Sequence, residues 1–280
     1  MKVARSYLFI PGNVPRMLQH MEVYDADALI IDWEDAIGPN EKDEARHLTY
    51  SYIKTHAPQT DIYIRINNDA PFYKDDLHWI KTLDIKGLVF PKSRVDSLTQ
   101  LLSDLNNPSL TVIALIETPQ AFFEIDQIAK IKQVEGLFLG GEDLTSALNA
   151  TRQASGEALL FARSTLIMAA KAYHKFCIDT PWPGNNEPDF LKDLSIGAAL
   201  GFDGKAAIHP NQVIPINETF SPSQARIIEA KKILALHKQT GKTRFSMDGQ
   251  MVDKPIIERA LSLVKRAAKY GLIEGEYGDL

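Results

Sequence analysis

Eight times along this chain a short, almost wholly apolar run ends in a polar residue and gives way to an amphipathic stretch. The runs are Tyr7–Ile10, Ala28–Ile31, Ile62–Ile66, Gly87–Phe90, Val112–Ile116, Gly136–Leu139, Phe176–Ile178 and Lys205–Ile208. Strands with apolar residues on both faces are buried on both faces, the condition of a parallel sheet covered by helices. The intervening stretches carry helical spacing, as in Asp96–Leu102 and, longest, Ala158–Tyr173. Eight strand–helix units in 280 residues fit a closed barrel better than an open sheet. The sequence therefore predicts an α/β fold, a (β/α)8 TIM barrel over residues 1–220 with a C-terminal helical extension over 221–280. In the extension, Ser221 or Ser223 caps a helix running to about Gly241, a loop or hairpin follows from Thr243, and a last helix spans about Pro255–Tyr270. This tail is expected to cover something or to complete the site of an adjacent subunit.

Composition removes several classes of function. With 31 Lys and Arg against 36 Asp and Glu, the net charge is −5, so there is no global basic field for nucleic acid or an anionic membrane. The single cysteine, Cys177, excludes an intrachain disulfide, and its neighbour His174 has no partner spacing for zinc. The start Met1-Lys-Val-Ala-Arg-Ser-Tyr runs almost directly into a strand, and no apolar run approaches the roughly 18 residues of a spanning helix. A cytoplasmic protein is the expectation. Phe138-Leu-Gly-Gly-Glu-Asp lacks the third glycine of a dinucleotide fingerprint, and neither a Walker loop nor a G-x-S-x-G elbow occurs.

In such barrels the chemistry gathers at the C-terminal strand ends. Here those ends carry Asp32, Glu34 and Asp35 after the second strand, Arg65 in the third, Lys92 after the fourth, Glu117 after the fifth and Glu142 and Asp143 after the sixth. Six acids at one mouth repel one another unless a cation sits among them, and carboxylates with water are the ligands magnesium prefers. The alternative is ordinary surface acids. Arg65, flanked by isoleucines, points either into the mouth, where its planar fork suits a carboxylate or enolate oxygen, or into a buried ion pair with Asp32 or Glu34. His209, before Pro210, is as well read as a structural hydrogen-bonder as a catalyst.

These residues sit in longer motifs: Arg5-Ser-Tyr-Leu-Phe-Ile-Pro-Gly-Asn, Ile31-Asp-Trp-Glu-Asp-Ala, Ile64-Arg-Ile-Asn, Phe90-Pro-Lys, Leu115-Ile-Glu-Thr-Pro, Gly141-Glu-Asp-Leu, Gly201-Phe-Asp-Gly-Lys-Ala-Ala-Ile-His-Pro-Asn-Gln and Gly249-Gln-Met-Val-Asp. In that order, over nearly the whole chain, they resemble the citrate lyase β-subunit-like family of the HpcH/HpaI aldolase superfamily, which includes malyl-CoA and citramalyl-CoA lyases. The resemblance implies that Glu117 and Asp143 bind magnesium and that Arg65 binds substrate. It implies that the backbone of Gly141 and Glu142 lies beside the bound carboxylate. It also implies that Asp253 is a general acid/base supplied, in some members, from an adjacent subunit. Retention of Gly-Glu-Asp and Gln-Met-Val-Asp draws the chain toward the stand-alone CoA-thioester lyases.

The implied reaction is magnesium-dependent cleavage of a short 3-hydroxy-acyl-CoA, citramalyl-CoA before malyl-CoA, to a 2-oxo acid and acetyl-CoA, in a homo-oligomer, by resemblance a trimer. Small residues such as Ala206 and Ala207 are expected to leave space for citramalyl-CoA's methyl group. Arg16, Lys92 and Arg94 are candidates for the CoA phosphates or else solvated surface. Asp253, two residues before Pro255, is equally a helix N-cap. Two other functions remain open: a metal-dependent aldolase acting on free 2-oxo acids, and a non-catalytic or accessory subunit of a citrate lyase complex.

Overall fold

The computed structural model describes residues 4–274. Eight parallel strands close into a barrel in chain order: β1 (Ser6–Pro11), β2 (Ala28–Asp32), β3 (Asp61–Arg65), β4 (Gly87–Phe90), β5 (Thr111–Ile116), β6 (Val134–Leu139), β7 (Phe176–Asp179) and β8 (Gly204–Ala207), with β8 pairing back to β1. The expected (β/α)8 TIM barrel is the fold, and each predicted run falls on a strand. Around it lie α1 (Pro15–His20), α2 (Lys42–His56), α3 (Phe72–Ile80), α4 (Val95–Leu105), α5 (Pro119–Lys130), α6 (Gly141–Ala147), α7 (Glu157–Ala172), α8 (Glu187–Leu200) and α9 (Val213–Phe220).

Strand alternation sorts the apolar residues between two layers. Tyr7, Ala28, Ile30, Tyr63, Val89, Ile113, Leu115, Phe138, Phe176, Ile178 and Ala206 form one buried cluster inside the barrel. Their neighbours in the alternation, such as Leu29, Ile31, Ile64 and Leu88, are buried against the helices. Continuing the inward series by one step past the core brings Asp32, Arg65 and Glu117 to the mouth, and the β2–β3 register sets Asp32 directly beside Arg65. The same parity places Ala206 in the core and Ala207 toward the helices.

The described chain divides into two compact units, one through Glu218 and one from Thr219 onward. The second contains α10 (Gln224–Thr240), a hairpin of β9 (Phe245–Met247) and β10 (Gln250–Val252), and α11 (Lys254–Lys269). Ser223, not Ser221, caps α10 by accepting the Arg226 N–H. Asp248 and Gly249 both have positive φ, 51° and 78°, as a tight right-twisted hairpin turn demands. Ile227, Ile233, Leu234, Val252, Leu263 and Val264 bury this unit's own core. Among the described residues no helix is long and apolar enough to cross a membrane.

Candidate active site

A cavity of about 320 Å³ opens at the C-terminal strand ends of the barrel unit. Phe9, Leu115, Phe138 and Ile208 give it an apolar lining, while Asp32, Asp35, Arg65, Glu117, Glu142 and Asp143 supply the charges. The predicted strand-end residues are thus brought together, with two exceptions. Glu34 and Lys92 line an adjoining cavity with Lys42 and Asn67.

Arg65 is held from two sides. Its Nε and Nη2 donate to the two oxygens of Asp32 at 2.8 and 2.6 Å, and its guanidinium carbon lies 5.0 Å from the Phe9 ring centroid. Asp32 also accepts the backbone N–H groups of Glu34 and Ala36, so the turn after β2 is fixed to the same carboxylate. Both readings of Arg65 therefore hold as geometry: it faces the mouth, and it is paired with Asp32. The two-pronged face of the guanidinium is taken by Asp32. Nη1 points instead toward Glu34 and Asp35, at 3.1 and 3.6 Å.

Glu34 is buried, and its Oε2, 3.1 Å from Arg65 Nη1, is ion-paired there without a hydrogen bond. Burial pushes its carboxyl up to about 7; Arg65 opposes this, Asp35 and Asp32 add to it, and Lys92, 3.5 Å away, opposes it again.

Glu117 is more isolated still. Its Oε1 accepts the Lys92 N–H at 2.6 Å, and Lys92 adopts a left-handed backbone (φ 47°), which non-glycine residues seldom do. Burial drives the Glu117 carboxyl up to about 8; the Lys92 N–H resists, while the charges of Asp143 and Glu34 push the same way as burial. Gly140 makes room for it, since a Cβ at that position would lie 2.4 Å from the Cβ of Glu117. Asp143 makes no side-chain hydrogen bond or ion pair among the described residues. Two carboxylates facing one cavity with this deficit of positive charge have the chemistry of a site for a hard divalent cation that keeps several water or substrate oxygens. Among the described residues no three His, Cys, Asp or Glu side chains form a complete cage, so a cation there would draw on such outside oxygens.

Glu142 differs from its neighbour Asp143 in being paired, through Oε1, with Arg152 at 2.6 Å. Gly141 N–H donates to Thr180 Oγ1 at 3.0 Å, tying the start of α6 to the end of β7. Asp253 belongs to the other unit, where one oxygen caps α11 by accepting the Ile256 N–H at 3.4 Å. Arg16 is exposed on α1 and does not line the cavity. Arg94 is engaged by Glu124 and by the start of α4, which leaves it a poor candidate for a phosphate. His209 accepts the Asn211 N–H, the structural role. Ala206 and Ala207 do not line the cavity, so the space attributed to them is not there; the apolar lining comes from Phe9, Leu115, Phe138 and Ile208.

Sequence reasoning missed Arg152, Thr180 and Lys42. The Lys42 Nζ donates to Trp33 O, Glu34 O and Asn67 Oδ1, and so holds the β2 turn from behind. Arg152 and Lys42 lie outside the strand ends, so nothing local marked them. Thr180 stands directly after Asp179 and was within reach of the same strand-end rule.

Residues 5–210 match the HpcH/HpaI aldolase/citrate lyase family. The chain belongs to that family. Residues 165–272 also match a family of carbon–carbon bond lyases of the TIM-barrel fold. This family member is a carbon–carbon lyase. It is 33% identical to the citrate lyase subunit β of Haemophilus influenzae, over 98% of this chain and 100% of that one. It is 28% identical to the human mitochondrial citramalyl-CoA lyase, over 94% and 85%. Among solved structures, the protein CitE from Mycobacterium tuberculosis, in complex with magnesium, acetoacetate and coenzyme A, superposes with a TM-score of 0.81 at 26% identity, covering 96% of this chain and all of that one.

Proposed function

We propose that this lyase uses magnesium, held by Glu117 and Asp143, to cleave a short 3-hydroxy-acyl-CoA, citramalyl-CoA in preference to malyl-CoA. The observation that carries the reading is the buried Glu117 carboxylate beside Asp143, short of positive charge, on a cavity that also presents Arg65. The family relation to citramalyl-CoA lyases and the magnesium- and CoA-bound CitE structure support the same chemistry. Magnesium there would supply Lewis-acid polarisation to the substrate's carboxylate and hydroxyl oxygens.

The chain's own residues do the rest. Asp32 fixes the plane of Arg65 at the cavity, where the guanidinium's positive charge offsets the negative charge that a substrate oxygen gains. The hydroxyl gives its proton to water in the solvent-open cavity, the C–C bond breaks, pyruvate leaves and acetyl-CoA departs as its enolate. Asp253, in its protonated form, gives its proton to the enolate carbon and regains one from solvent. Phe9, Leu115, Phe138 and Ile208 offer apolar contact for the methyl group that distinguishes citramalyl-CoA from malyl-CoA, a difference worth about 1–3 kcal/mol.

Asp253 acts in this reading from a neighbouring copy, in a trimer. The capping bond uses only Oδ1 of Asp253, so capping and proton transfer do not compete for the same oxygen. Mixing Asp253→Asn subunits with Arg65→Ala subunits, each inactive alone, restores part of the activity if sites are shared. Absence of recovery after verified subunit exchange refutes the shared site. The substrate is tested with purified protein and magnesium against both thioesters in both stereochemical forms, following acetyl-CoA release. Equal rates on malyl-CoA refute the methyl preference.

A second reading has one observation behind it: identity to citrate lyase β subunits, 30–33%, exceeds that to the citramalyl-CoA lyases, 27–28%. In that reading the chain works as one subunit of a lyase complex. It predicts no turnover of any free CoA thioester by the purified chain.

A further inference from the structure

Two adjacent acids, Glu142 and Asp143, line the same cavity, yet one is tied back and the other is not. The tie is Arg152, in the segment between α6 and α7, whose side chain is only 7% exposed. Its Nη1 donates to Glu142 Oε1 at 2.6 Å and its Nη2 to Asp193 Oδ2 at 3.3 Å, while the guanidinium lies over the Trp182 ring at 5.1 Å. The anchor does not move freely, because Asp193 is itself held by Arg163 at 2.7 Å and by Lys205 at 2.8 Å. Glu142, by contrast, is more than half exposed, so without Arg152 nothing among the described residues restrains its carboxylate.

We propose that Arg152 is a positioning residue that sets the composition of the cation site, by withholding Glu142 so that Asp143 alone joins Glu117. This rests on the magnesium reading above. The physical argument is one of ligand number. Magnesium tolerates few protein carboxylates and needs near-octahedral geometry with water or substrate in the remaining positions. A third, mobile carboxylate suits calcium, which takes six to eight oxygens in looser geometry. It would also place one more negative charge where an anionic substrate must bind. An acid already paired with a guanidinium offers little to a cation. Arg152 therefore lets two acids stand next to each other in sequence while keeping the site fit for a small cation and an anion together.

The test is calorimetric titration of metal-free full-length protein with magnesium and, separately, calcium. The variants are Arg152→Gln, Arg152→Lys, Glu142→Gln and the double variant Arg152→Gln/Glu142→Gln. Arg152→Gln is expected to raise calcium affinity relative to magnesium by about tenfold, the size of effect that residues outside the ligand set exert on metal sites. Arg152→Lys and Glu142→Gln keep the parent ratio, and the double variant returns to it. A parent-like ratio in folded Arg152→Gln overturns the proposal, as does a shift that persists in the double variant. Should Arg152→Gln fail to fold, the exposed Glu142→Gln decides: weakened magnesium binding there makes Glu142 a ligand and overturns the proposal, whereas parent-like binding of both cations supports it. Failure of the parent protein to bind magnesium refutes the cation site itself, a result separate from all of these.

Discussion

Two of the groups of charge in the barrel unit are balanced in opposite ways. Between β7, β8, α7 and α8, Asp179 and Asp193 face Arg163 and Lys205 at 2.7–3.0 Å, with Arg152 adding a third cation. Around β2, β3 and β5, the buried Asp32, Glu34 and Glu117 and the exposed Asp35 and Asp143 share Arg65, the buried Lys42 and a half-exposed Lys92. The titration behaviour follows the balance. Although burial alone would raise it, the Asp193 carboxyl is held below the usual carboxylate range by Lys205 and Arg163, whereas Glu34 and Glu117 are pushed up to about 7 and 8. Asp179 and Lys205 alternate with the inward residues Ile178 and Ala206, and so face the helical layer, which marks their network as scaffold. The acid-rich group faces the cavity. A fold that can neutralise buried carboxylates on one side and leaves them short of cations on the other has kept that deficit where a cation is to bind.

The largest expected contrast is between the effects of removing one charge from each group. Glu117→Gln should lower magnesium-dependent cleavage by about a thousandfold, because a Lewis-acid site is worth several kcal/mol of transition-state stabilisation. In metal-free protein it should not lower thermal stability, since the Glu117 carboxylate is poorly compensated there. Lys205→Met should do the reverse, costing about 3 kcal/mol or more of stability by leaving Asp179 and Asp193 underpaired. Melting curves and acetyl-CoA release, measured on both variants, check the pair. If Glu117→Gln proves the more destabilised of the two, the division into scaffold and site is wrong.

Arg65→Lys sharpens the comparison at a somewhat smaller scale. A lysine ammonium cannot reproduce the paired Nε and Nη2 contacts to Asp32 while presenting a further donor to the cavity. The expected loss is about 2–4 kcal/mol in kcat/KM, comparable with removal of a preorganised donor. Near-normal turnover by a folded lysine variant would refute the assignment.

The barrel was legible in the sequence because each strand is a short apolar run, and period-two alternation then fixes which residues reach the mouth. Asp32, Arg65 and Glu117 follow from that alternation alone. The partnerships were less accessible. Whether Arg65 served Asp32 or a ligand depended on the β2–β3 register, which pairs residues 33 positions apart. Arg152 and Lys42 act from outside the strand ends, so their roles depend on tertiary placement that no local pattern encodes. The space assigned to Ala206 and Ala207 failed for a related reason: Ala207 faces the helices, and Ala206 lies in the packed barrel core with Phe138, whose ring packs 6.1 Å from that of Phe9.

The smallest effect is a pH dependence of opposite sign in the two groups, measured on protein kept free of divalent metal by a chelator. Asp193 has a folded pKa below its ordinary value, so its stabilisation is complete above the normal carboxylate range and is lost as pH falls through the folded value, below about 4. Glu34 has a folded pKa raised from 4.5 to about 7. Between those values the folded state holds a proton that the unfolded state has released, so stability is complete below 4.5 and declines as pH rises toward 7. The full shift would correspond to roughly 3 kcal/mol; Glu34 borders a cavity open to water, so a loss on the order of 2 kcal/mol is expected. Unfolding followed from pH 3 to 8 should therefore show a maximum of stability on the acid side of neutrality, about pH 4–5. Glu34→Gln should make the neutral limb shallower and leave the acid limb intact; the decline that remains belongs to Glu117, whose carboxyl is raised from 4.5 to about 8. Asp193→Asn should weaken the acid limb alone, at a cost in overall stability. If Glu34→Gln leaves the decline between pH 5 and 7 unchanged, the excess of acid around β2 is not what the folded protein works against.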